Sequence, residues 1–181
     1  ENCHSETTMN YLSRNNLVLL TLIIIGVITH LAPHDLGVST VGALSMLAAA
    51  YLPRHLLLVP VLVTVIVGDL VNGTYALMAM MFVYLAHLAA AMAVTPTLSR
   101  VSSPRVTTAA VLNAVIFYLI SNLTPMAMLY YPTTLDGLMT CYINGLPFLA
   151  KGILANIIFG SIGFGIVNLW GKRYENRISS T

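Results

Sequence analysis

Six apolar runs, at residues 17–31, 38–52, 55–71, 74–94, 107–123 and 153–170, take up most of this chain. A helix crossing the hydrocarbon of a bilayer needs roughly 20 apolar residues, and in lipid only helices or closed barrels satisfy their own backbone. The expected fold is therefore an all-α membrane protein, a bundle of about six transmembrane helices. Composition agrees, with 57% hydrophobic and 8% charged residues against about a quarter charged in soluble domains. The 181 residues leave no room for a separate soluble catalytic domain.

Helix breakers and turn formers mark the cuts: Pro33 with Gly37, Pro53 with Arg54, Asn72 with Gly73, Pro96 through Pro104, and Pro132 through Gly137. The second run is short and LPRH follows it at once, so spans two and three are expected to be short or tilted. The opening ENCHSETT is polar and precedes Met9; it reads either as native or as an extension ahead of a start at Met9. Run 17–31 has the length of a signal-peptide core, but HLAPHDLG lacks a small-residue cleavage site, so it reads as a retained first span. The organisation is a polar segment at 1–14, a six-helix domain at 15–171 and a basic tail at 172–181. Cys3 and Cys141 lie far apart and form no metal or disulfide pattern.

Charge orients the bundle. With the N-terminus cytoplasmic, Arg14, Arg54, Arg100, Arg105, Lys172, Arg173 and Arg177 lie inside and Lys151 alone of the eight basic residues lies outside, a strong positive-inside pattern. Both termini are then cytoplasmic. Asp35, Asp69 and Asp136 fall on the outer side with His34, Asn72, Asn122, Tyr130 and Tyr131.

An ionised carboxylate near hydrocarbon is costly and usually faces a partner, a cavity or the water boundary. Asp69, at the end of VTVIVGDLVNG, reads either as an interfacial carboxylate capped by the next turn or as part of a ligand pocket or interhelical bond. His30, His34 and Asp35 sit within six residues. That set suits a divalent cation, but Pro33 disfavours the helix their spacing needs, so a polar loop entry is the competing reading. His87 stands in the middle of span four, where a neutral imidazole needs a hydrogen-bond partner or a ligand. Residues 121–148 contain three prolines with many Tyr and Met and read as an outer loop closing over a pocket. Asn122, Tyr130, Tyr131, Tyr142 and Asn144 suit a flat organic ligand, and an interfacial aromatic belt explains the tyrosines equally well.

The stretches HLAPHDLGVSTVGALSMLAAAYLPRHLLLVPVLVTVIVGDL and YPTTLDGLMTCYINGLPFLAKGILANIIFG resemble a family of small bacterial integral membrane proteins without an assigned function. That family is in turn similar, in size and span number, to the substrate-binding S components of energy-coupling-factor vitamin transporters, among them solitary cobalamin transporters. The resemblance implies an inner-membrane protein that takes a vitamin-like small molecule into an outward pocket and delivers it by toppling. The partners it implies are the lipid bilayer, a small-molecule substrate and an energy-coupling module docked on small residues of the first helix. Here that helix has only Gly26 as a small residue. The expected ligand-binding set is Asp69, His87, His34, Asn72, Asn122, Tyr130, Tyr131 and Tyr142. Cys141, His87 or His34 would be the ligand for a cobalt centre, and no resident cofactor or metal is assigned.

No P-loop, GxSxG, HExxH or glycine-rich phosphate cradle occurs, which argues against nucleotide or peptide hydrolysis, and the few basic residues belong to topology, not to nucleic acid. The sequons at Asn72 and Asn122 carry no meaning in a bacterial setting. Two readings remain: a substrate-binding transporter of the S-component type, or a non-catalytic accessory subunit of a larger membrane complex. An enclosed outward cavity favours the first, and a lipid-facing small-residue surface at 161–165 favours the second.

Overall fold

The computed structural model describes residues 15–32 and 38–169 in full, and residues 2–14 and 170–178 as helical backbone. The described residues are helical, with no strand among them. The elements are α1 (Asn2–Leu31), α2 (Val41–Tyr51), α3 (Val59–Asn72), α4 (Leu77–Val94), α5 (Ser103–Ser121), the one-turn α6 (Leu123–Ala127) and α7 (Leu135–Ile178). Proline and glycine act at most of the expected cuts. Pro60 and Pro104 stand in the first turns of α3 and α5, where the missing N–H costs nothing. Gly73 follows α3 at φ 101°, a backbone that side-chain-bearing residues rarely adopt.

The bundle is organised around α2, which packs on α1, α3, α4, α5 and α7. Each of its faces feeds a different part of the core. Met46 joins Val94, Leu98, Val106 and Phe164; Leu44, Ala48 and Leu52 join Leu22 and Leu57; Val41 joins Val61, Val65 and Ala91. A helix apolar all round is what such a central position requires. Small residues at the contacts, among them Ala86, Ala90, Ala109, Ala110 and Ala155, bring backbones close, which is how helices associate where lipid removes the hydrophobic drive.

The outer surface is apolar too. Leu17, Leu20, Ile24 and Ile28 on α1, Met78, Met81 and Leu85 on α4, and Leu154, Ile158, Ile162 and Ile166 on α7 are all exposed. A soluble monomer does not tolerate patches of that extent, whereas a bilayer solvates them. Among the described residues three stretches are long and apolar enough to cross a membrane: Leu77–Val94, Ser103–Ala127 and Leu135–Leu169. The other three apolar helices, Asn15–Leu31, Val41–Tyr51 and Val59–Asn72, are shorter, in line with the expectation of short second and third spans.

The outer loop expected at 121–148 is corrected. It is mostly helix, made of α6 and the first turns of α7, and the last span begins at Leu135 instead of 153. Pro147, read as one of that loop's prolines, lies inside α7; a membrane helix accommodates proline where neighbouring groups satisfy the freed carbonyl. At 44 residues, α7 is about 66 Å long, roughly twice the hydrocarbon thickness. Lys151, expected on the outer side just after that loop, is an exposed residue within α7. The helical backbone also runs through most of the expected terminal segments, since α1 starts at Asn2 and α7 ends at Ile178.

Candidate functional site: an asparagine-lined cavity between four helices

Where α2, α4, α5 and α7 meet, they line a partly open cavity of about 90 Å³. Its polar wall is built from backbone outward. Ser45 Oγ donates to the Gly42 carbonyl at 2.7 Å. Asn113 Nδ2 donates to Ser45 Oγ at 2.9 Å, and Asn156 Nδ2 donates to Asn113 Oδ1 at 3.1 Å and to the Ala110 carbonyl at 3.2 Å. Asn113 and Asn156 are 3% and 4% exposed, so these are interior amides that must be paired. Gly42 makes the convergence possible, because a β-carbon there would collide with the carboxamide oxygens of Asn156 and Asn113.

Opposite the amides the wall is aromatic. The His87 ring lies 4.4 Å from that of Phe117, tilted by 37°, with Phe148 and Tyr118 on the same cavity. The His87 imidazole thus stands on the cavity with its face toward an aromatic neighbour. His30 packs on Gly68 of α3, where a β-carbon would strike its ring. At the mouth, Tyr118 and Tyr142 form a reciprocal clamp. Tyr118 Oη donates to the Tyr142 carbonyl, Tyr142 Oη donates to the Leu119 carbonyl at 2.6 Å, and the rings meet edge to face at 5.5 Å. Asn122 Nδ2 donates to the Tyr118 carbonyl at 2.8 Å and Cys141 Sγ to the Asn122 carbonyl at 3.4 Å.

Of the expected ligand-binding residues, His87 and Asn122 line this cavity, and Asp69, Asn72, Tyr130, Tyr131 and Tyr142 do not. Asp69 instead accepts a 2.7 Å bond from Tyr84 Oη, tying α3 to α4; beside it, burial and the Asp69 carboxylate push the Tyr75 phenol up. Asn72 is exposed at the end of α3. Tyr130 is 70% exposed, and Tyr131 Oη accepts from Asn144 Nδ2 at 3.2 Å. His34 and Asp35 lie outside the described residues, and with them the expected His30, His34, Asp35 cluster; among the described residues no three His, Cys, Asp or Glu side chains gather as a metal site would require. Asn113 and Asn156 were missed by the sequence reading. The signal was present, since each is a lone amide in a run of apolar residues, the argument already applied to Asp69 and His87.

Family comparison decides the affiliation, because one family model matches residues 10–177. The chain belongs to DUF6580, a family of unknown function. Neither a curated protein nor a solved structure matches it. The part matched to DUF6580 takes in α2 through α6 whole and every residue of the cavity wall.

Proposed function

We propose that this DUF6580 protein binds a small polar solute in the asparagine-lined cavity and acts as the substrate-binding unit of a membrane transporter, of the S-component type. The observation that carries this reading is a cavity with a buried amide wall inside an otherwise apolar bundle. Membrane proteins keep interior amides and imidazoles where a substrate path needs them, because each is expensive in lipid. The cavity adjoins the C-terminal half of α5 and the N-terminal end of α2, the ends opposite Arg54, Arg100 and Arg105. With those arginines cytoplasmic, the site opens outward.

The cavity volume narrows the ligand. About 90 Å³ holds several waters or a solute of roughly four to eight non-hydrogen atoms, which does not fit a cobalamin-like macrocycle. Gly26 faces inward, under Thr64 and Leu44, and the lipid-facing side of α1 is bulky, with Leu17, Leu20, Ile24 and Ile28. That favours a carrier working without a coupling module docked on its first helix. Native mass spectrometry from mild detergent tests the reading: a retained small molecule, lost when Gly152→Leu fills the cavity, supports it, and a protein that is empty in both forms overturns it.

The accessory-subunit reading rests on a different feature. Ser161 and Gly165, one turn apart on α7, are both exposed, and nothing lies within 4 Å of where a β-carbon would stand on Gly165. Such a spacing suits a close helix contact with another subunit, and the same mass spectra would reveal that partner.

A further inference from the structure

The amide orientations in the cavity wall are forced from both ends. The Gly42 carbonyl can only accept, so the Ser45 hydroxyl spends its proton there and presents an oxygen to Asn113. Asn113 must then offer its NH2 to Ser45 and its oxygen to Asn156. Asn156 offers its NH2 to Asn113 and also to the Ala110 carbonyl, a second pure acceptor. Flipping either amide would set oxygen against oxygen at one end of this chain. The carboxamide oxygen of Asn156 is left over. It accepts no hydrogen bond from any described residue and faces the cavity beside the Gly42 α-carbon, whose C–H is at best a weak donor.

From this fixed polarity we infer that the cavity selects a solute presenting an N–H or O–H donor, received by Asn156 Oδ1, with the flat remainder of the solute against Phe117 and Phe148. The donor preference rests on the binding role proposed above and specifies its ligand class. A solute that only accepts leaves the Asn156 oxygen buried and unpaired, which is how a hydrogen-bonding site rejects an analogue lacking the matching group. Ser45 is a positioning residue. It touches no solute and holds the Asn113 end of the relay, as the Ala110 carbonyl holds the Asn156 end.

The test uses three probes alike in their carbonyl and unlike in their donors: acetamide with two N–H groups, N-methylacetamide with one, and N,N-dimethylacetamide with none. Each is titrated into the full-length protein in lipid nanodiscs, with binding read from saturation transfer to the probe methyl groups. Acetamide and N-methylacetamide are expected to bind at least about tenfold more tightly than the dimethyl compound. Ser45→Ala removes one end of the relay but leaves the Ala110 carbonyl holding the Asn156 amide, so the preference for donors is expected to survive it, and a preference lost in this variant overturns the fixed polarity. Equal binding of all three probes, abolished by Gly152→Leu, overturns the donor selection and leaves the binding role standing. No binding above the level of Gly152→Leu overturns both.

Discussion

Asn156 of α7 donates from Nδ2 to Oδ1 of Asn113 on α5 at 3.1 Å, and through Ser45 the pair is tied to α2. Three helices therefore share one buried hydrogen-bonded path. Interhelical hydrogen bonds in membrane bundles contribute modestly on average, around 0.6 kcal/mol; leaving a buried partner unpaired costs more, about 1–3 kcal/mol. Asn113→Ala strands both Ser45 and Asn156, so it is expected to destabilise by about 1–3 kcal/mol. Asn156→Ala should cost a similar amount, and the double variant at least about 0.5 kcal/mol less than the sum, because the two singles break the same bond. Unfolding in detergent monitored by circular dichroism reads all three, and strict additivity would contradict the shared path.

Gly42 and Gly165 make a matched pair of substitutions. A methyl at Gly42 meets the oxygens of two carboxamides that are held through their Nδ2 groups, so Gly42→Ala is expected to cost about 1–3 kcal/mol through forced repacking and to remove solute binding. A methyl at Gly165 meets nothing, and Gly165→Ala in a helix interior should be neutral or slightly stabilising. Equal losses at both positions would mean that glycine matters here for its backbone alone.

Much of the architecture is legible along the chain because prolines at turns act locally. Pro53, Pro96 and Pro104 cut the helices near where they stand, and an apolar surface follows directly from the low charge. Pro147 misleads for the opposite reason, since its effect depends on what surrounds the freed carbonyl. Partners distant in sequence were out of reach. Tyr84 comes to Asp69 from 15 residues away and Asn156 to Asn113 from 43 away, and only the direct packing of α5 on α7 makes the second pair a wall. The amides themselves were readable as isolated polar residues in apolar runs; their convergence was not.

Tyr75 gives the junction of α3 and α4 an alkaline sensitivity. Burial first, and the Asp69 carboxylate second, raise its phenol above the ordinary value of 10.0. A raised tyrosine pKa means that the folded state holds its proton longer than the unfolded chain does. The stabilisation is full below the unfolded value and is lost as pH climbs through the folded one. Wild-type stability is thus expected to fall above about pH 10, and Tyr75→Phe to fall less steeply over the same window. Asp69→Asn should bring the Tyr75 titration down toward normal in an ultraviolet pH titration; an unchanged midpoint would remove Asp69 as a cause.

The aromatic residues outside the cavity separate a wall from a lid. Tyr130, at 70% exposure, and Tyr131, engaged with Asn144, stand on the link between α6 and α7 and touch no part of the cavity. Replacing both with alanine is therefore expected to leave solute retention within about twofold of wild type, since neither removes contact area from the ligand. Phe148 does line the cavity, and as part of helix α7 its backbone is held in register by Tyr142, whose carbonyl and hydroxyl are both bound to α5 one and a half turns earlier. Phe148 is half exposed, so Phe148→Ala removes part of the wall and should weaken retention several-fold, about what the loss of an aromatic contact costs. Retention measured side by side in nanodiscs decides between the two. A large loss in the tyrosine pair with none at Phe148 would move the binding surface out of the bundle and onto its outer end.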